Sequence, residues 1–101
     1  MITVLASITV KDGHMEEFLR IFKGNIPAVL AEEGCIEYYP AIDTRTALPP
    51  QIYQENTVTI IEKWQSLADL KAHLDTAHML VYKEATASML ETLSLKVLEN
   101  A

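Results

Sequence analysis

The chain has 101 residues and a single cysteine, Cys35, which bounds it to one domain over residues 1–101 and leaves no internal disulfide framework or multi-cysteine zinc site. A formal net charge of −6 without any Lys/Arg cluster speaks against nucleic acid and anionic membrane surfaces as partners. Half of the residues are hydrophobic, yet no apolar run approaches the ~20 residues of a membrane helix, and Met1 leads straight into alternating residues rather than a secretory leader. The expectation is a cytoplasmic protein whose apolar excess is covered by homodimerisation.

Ile2, Val4, Ala6, Ile8 and Val10 alternate with Thr3, Leu5, Ser7, Thr9 and Lys11, which predicts a strand with one core face. Its second face is small or polar and uncharged until Lys11, and suits a cavity or a subunit contact. Asp12-Gly13 turns the chain into a helix predicted from about His14 to Glu33, with Met15, Phe18, Leu19, Phe22, Ile26 and Val29 on the helical period. Gly24-Asn25 and Pro27 predict a kink or restart within it. Gly34 reads as the left-handed residue that ends it.

A second strand runs from Cys35 to about Asp43, with Ile36, Tyr38, Pro40 and Ile42 on one side. Residues 44–51 form a loop, because Pro49-Pro50 cannot donate to a sheet. A third strand, Tyr53 to Trp64, is clearest from Thr57, with Val58, Ile60, Glu62 and Trp64 sharing a face. Ser66 to Asp69 resembles a capping box and starts a helix of about two turns. Asp75 or Thr76 restarts a helix to about Leu90, with Met79, Tyr82, Thr86, Met89 and Leu93 as its inner stripe. Ser94 to Glu99 is a last strand. The order β-α-β-β-α-α-β predicts a ferredoxin-like α+β fold, an antiparallel sheet with helices on one face. The other face then pairs across a two-fold axis.

Four stretches taken in order carry a resemblance: Val10 to Phe18, Glu32 to Tyr38, Glu62 to Leu74, and His78-Met79. Together they resemble the antibiotic biosynthesis monooxygenase family of dimeric α+β barrels, which includes quinol monooxygenases. The resemblance implies a homodimer and a cofactor-independent monooxygenase that combines a small aromatic or quinol-type molecule with dioxygen. Family members that degrade haem use an Asn, a Trp and a His where this chain has Ala6, His73 and Lys83 or Glu84, which argues against that activity. Sugar-phosphate isomerases of the family share a His-x4-His segment like His73 to His78. An isomerase or proton-transfer enzyme on a phosphorylated small molecule is therefore the competing reading, and a non-catalytic ligand-binding dimer is the third.

Among single residues, His73 is the candidate catalytic group, since an ordinary imidazole exchanges a proton near neutrality; the competing reading is a structural histidine. Trp64, Tyr38, Tyr82, Met79, His78 and Glu62 are the candidate substrate-binding residues, and Tyr53 is a further phenol able to orient a quinol oxygen. Trp64 serves equally as a core anchor, and Met79 with Tyr82 as a core stripe. Glu62 needs a partner if buried. In one continuous helix His73 and His78 would lie ~140° apart, so they converge only if the chain breaks near Asp75-Thr76. Their spacing departs from the helical i, i+4 zinc pair, and neither a metal nor a cofactor is expected. Cys35 reads as a small buried residue without a nucleophile's surroundings.

Overall fold

A computed structural model describes residues 1–101. Seven principal elements follow one another as β1 (Ile2–Val10), α1 (Met15–Leu30), β2 (Cys35–Ile42), β3 (Thr57–Trp64), α2 (Leu67–Leu74), α3 (Ala77–Thr86) and β4 (Leu90–Leu98). The strands form one antiparallel sheet in the order β2-β3-β1-β4. With three helices against it, this is the predicted ferredoxin-like α+β fold.

Register explains where the core sits. Val4, Ala6 and Ile8 of β1 stand opposite Glu62, Ile60 and Val58 of β3, so the period-two apolar sets of the two central strands share a face. Phe18, Phe22 and Val29 of α1 cover that face and are fully buried. The reverse face carries Thr3, Leu5, Ser7 and Thr9 beside Thr59, Ile61 and Lys63, and it is only partly buried.

Three local expectations are corrected. First, α1 runs without a restart through Gly24, Asn25 and Pro27. Pro27 and Lys23 lie on the exposed side, so the carbonyl left without its helical partner is open to water, while Phe22 and Val29 hold the inner side on both flanks. Second, α3 ends at Thr86 rather than Leu90, and a 3-10 turn over Ala87–Met89 leads into β4, which begins at Leu90 instead of Ser94. The Lys11 amide donates to the Met89 carbonyl at 2.8 Å and draws this turn to the end of the sheet. Leu93 is therefore a strand residue facing Ile8, outside the helical stripe. Third, a bulge between Cys35 and Glu37 puts Cys35 opposite Trp64 and leaves Ile36 unpaired and exposed, apart from the Tyr38 side.

The junctions that position the site follow their sequence signals. Gly34 has φ +80°, and a Cβ there would collide with the Asp69 carboxylate, so only glycine fits this turn. The Ser66 hydroxyl accepts from the Asp69 amide at 3.1 Å and starts α2. Thr76 does the same for α3, accepting from the Met79 amide at 3.4 Å. The chain thus breaks at Asp75-Thr76, the condition under which His73 and His78 can converge. No helix is long and apolar enough to cross a membrane.

Candidate active site

Between the sheet and the helices lies a cavity of about 230 Å³. Its floor is Ala6 and Ile8 of β1 with Ile60 of β3. Tyr38 of β2 and Glu62 of β3, Phe22 of α1, His73 of α2, and Met79, Tyr82 and Lys83 of α3 complete the lining, with Tyr38 stacked on Phe22. Leu93 and Leu95 of the edge strand β4 border the open end. A cavity of about 150 Å³ is enough to hold benzene, so this one takes one aromatic ring or a compact fused pair.

His73 is buried and held by three neighbours. Its ring lies 4.6 Å from that of Trp64 and meets the edge of Tyr38 at 5.5 Å between centroids. Its Nδ1 is 2.8 Å from Glu32 Oε2. Nε2 makes no protein hydrogen bond, and no enclosed side-chain nitrogen or oxygen lacks a partner, so Nε2 is the atom His73 shows to the cavity. Burial holds the His73 pKa below its ordinary 6.5, outweighing the Glu32 carboxylate that pulls it up. The ring is therefore neutral at neutral pH and has a lone pair to offer.

Glu62 is also buried, and its Oε1 accepts from the Trp64 indole N–H at 3.0 Å. Burial raises its pKa, with the Trp64 bond pulling the other way. Burial likewise raises both phenols, Tyr82 to about 12, so Tyr38 and Tyr82 stay protonated and can donate to a substrate oxygen.

The predicted site residues thus divide. His73, Tyr38, Tyr82, Met79 and Glu62 meet around one cavity. Trp64 is fully buried behind His73 and Glu62 and orients both without lining the space. His78 stands in the first turn of α3, half-buried, with Nε2 2.8 Å from Glu32 Oε2. It faces a groove of about 290 Å³ between α1 and α3, which Tyr82 separates from the inner cavity. Tyr53 lies in the surface loop under the Arg45 guanidinium, 4.0 Å away, and does not reach the cavity. Cys35, its thiol pushed up to about 11 by burial, is no nucleophile at neutral pH.

Glu32 was not singled out by its sequence. It sits in the turn between α1 and β2, and its only sequence signal is an acidic pair before Gly34, which does not distinguish it from Glu33. Glu32, His73 and His78 bring their ligand-type atoms within 4.8 Å of one another, a set chemically able to bind a cation. The helical i, i+4 pair is indeed absent; the two histidines meet instead through the break at Asp75-Thr76, the condition the sequence set for their convergence. The two 2.8 Å contacts are ordinary charge-assisted hydrogen bonds, which satisfy the cluster as it stands.

The antibiotic biosynthesis monooxygenase profile matches residues 1–85. The chain belongs to this family. It is 36% identical to the Escherichia coli K12 protein named Probable quinol monooxygenase YgiN over 101 residues, 98% of this chain and 97% of that one. Among solved structures, PA3566 of Pseudomonas aeruginosa superposes with a TM-score of 0.81 at 25% identity, covering 99% of this chain and 93% of its own. A Nitrosomonas europaea structure gives 0.85 at 18% identity, covering 99% and 98%, and shares the fold. Within the family frame, Ala6, His73 and Lys83 do border one cavity. None of the three is the residue that the haem-degrading members carry at that place.

Proposed function

We propose that this member of the antibiotic biosynthesis monooxygenase family is a cofactor-independent monooxygenase of small aromatic or quinol-type molecules. The observation that carries the reading is the free His73 Nε2 in an aromatic-lined cavity that also holds two protonated phenols and Glu62. His73 Nε2 accepts the proton of a phenolic hydroxyl as the substrate anion forms. Tyr38 and Tyr82 donate to its oxygens, and Met79 with the β4 leucines keeps water from the ring. The electron-rich anion then reduces dioxygen. One oxygen atom is added to the ring and the other leaves as water, so a quinol becomes a hydroxyquinone. The substrate supplies all four electrons and no external reductant is consumed.

The competing readings are not favoured. A phosphorylated substrate would need a cationic pocket, and Lys83 is the single cation bordering this one. A passive module would be expected to fill its interior with side chains. The test is oxygen uptake with a panel of benzo- and naphthoquinols by protein stripped with a chelator. Uptake above autoxidation, unchanged by stripping, is expected. No uptake with any quinol would remove the assignment, and loss on stripping would remove its cofactor independence.

The same proposal places the protein in the cytoplasm as a homodimer. Leu93, Leu95 and Val97 of β4 stay 58%, 53% and 48% exposed on the side the helices cover elsewhere, next to the cavity's open end. Apolar side chains left out on a core face are the mark of a missing partner. Light scattering should give twice the 11.3 kDa chain mass; a monomer at micromolar concentration would count against this part.

A further inference from the structure

The hydrogen bonds around Glu32 fix which nitrogens carry protons. The Thr76 hydroxyl donates its only proton to the His73 carbonyl at 2.9 Å. Towards His78 Nε2, 3.3 Å away, Thr76 can therefore only accept. His78 Nε2 thus faces two acceptors, Thr76 Oγ1 and Glu32 Oε2, and must bear a hydrogen. Glu32 Oε2 then receives an N–H from His78, and towards His73 Glu32 acts as a negative, hydrogen-bonding partner. The same atom lies 2.8 Å from His73 Nδ1, which consequently bears the second N–H. A neutral His73 in that tautomer has its lone pair on Nε2, the atom open to the cavity.

We infer that Glu32 is the positioning residue of the site: its carboxylate selects the His73 tautomer that can act as a base and faces the positive charge His73 gains on taking a proton. His78 serves as the second anchor of that carboxylate and connects it to the half-exposed surface of α3. The inference rests on His73 being the base of the proposed reaction, but its first readout does not. The competing explanation is a staple that ties the α1–β2 turn to the α2–α3 junction. Besides Glu32, the ionisable groups around His73 are Tyr38 of β2, Glu62 of β3, and His78, Tyr82 and Lys83 of α3.

The tautomers are read directly from ¹⁵N spectra of the full-length protein with labelled histidine above pH 7. His73 should show a protonated Nδ1 and a bare Nε2, and His78 a protonated Nε2. A protonated Nε2 on His73 would overturn the inference whatever the activity. Glu32→Gln keeps an acceptor and removes the charge. It is expected to lower kcat for quinol oxidation about 10²–10⁴-fold, the range that a correctly positioned base contributes and that loss of its orienting carboxylate can forfeit, and to move the acid limb of the pH profile to lower pH. His78→Ala should keep the His73 tautomer and move that limb upward, because a neighbouring positive charge is gone. A staple alone would lower the melting temperature in both variants without moving either limb, and that result would also overturn the inference. If Glu32→Gln does not fold, the wild-type spectra and His78→Ala decide. Absence of quinol oxidation in the wild type would sink the proposed reaction and leave the tautomer measurement standing.

Discussion

His73→Ala should lower kcat for quinol oxidation by about 10²–10⁴-fold, the range that a positioned general base contributes. On the proposed reading the ring contacts are left to the other lining residues, Phe22, Tyr38, Met79 and the β4 leucines, so KM should change far less than kcat. An oxygen electrode with wild type and variant side by side reads both constants. Equal kcat in the two proteins would show that the substrate ionises without His73. Added imidazole should restore part of the rate, because the variant leaves space next to the open cavity. The pH profile provides a second check. The active form has neutral His73, and burial holds its pKa below 6.5, so the rate should be flat across neutrality and fall only in acid below the ordinary histidine range. Stability carries the same sign. In that acid window the unfolded histidine binds a proton that the folded one refuses, so unfolding takes up protons. The His73 contribution is complete above pH ~6.5 and is lost as pH falls towards the lowered value.

How much of this was legible beforehand differs by link of the chain. Period-two alternation gave the inner faces of β1 and β3 residue by residue, because a half-buried strand has no other way to satisfy both environments. Ser66 and Gly34 marked junctions through local chemistry: a hydroxyl at an N-cap, and a backbone position that rejects any Cβ. The start of β4 was hidden because Leu90 and Leu93 continue the helical spacing of Tyr82, Thr86 and Met89 as well as they open a strand. Only the sheet decides between them, through the pairing of β4 with β1. Pro27 failed as a breaker because tertiary packing on both of its flanks outweighs one lost helical bond. Within the site, His73 could be named from its chemistry, but its partner could not. Glu32 lies 41 residues away, and nothing in the sequence distinguishes which of two adjacent glutamates turns inward. The convergence of His73 and His78 depended on a helix break that the sequence allowed without requiring.

Trp64 should be the costliest single side chain to remove. It is the only tryptophan, it is fully buried, and it supports His73 through ring contact and Glu62 through its N–H. Trp64→Ala is expected to cost about 3–5 kcal/mol, as large aromatic truncations in cores do. A domain of this size has only about 5–15 kcal/mol to lose, so the variant should be marginally folded at best. Trp64→Phe separates the two roles. Phenylalanine keeps much of the packing and removes the donor, which leaves a buried carboxyl oxygen unpaired at a cost of about 1–3 kcal/mol. The Trp64 bond is also what pulls the Glu62 pKa down against burial, so Glu62 should become harder to ionise in this variant. Urea unfolding followed by circular dichroism measures the stability change, since the fluorophore is gone. Pairing the change with Glu62→Leu makes the cycle decisive. If the hydrogen bond is the main loss, the double variant should be no less stable than Trp64→Phe alone, because no acceptor is left unpaired. Strict additivity of the two changes would mean that Trp64 acts by packing alone, with no energetic link between its indole and the carboxyl that faces the substrate cavity.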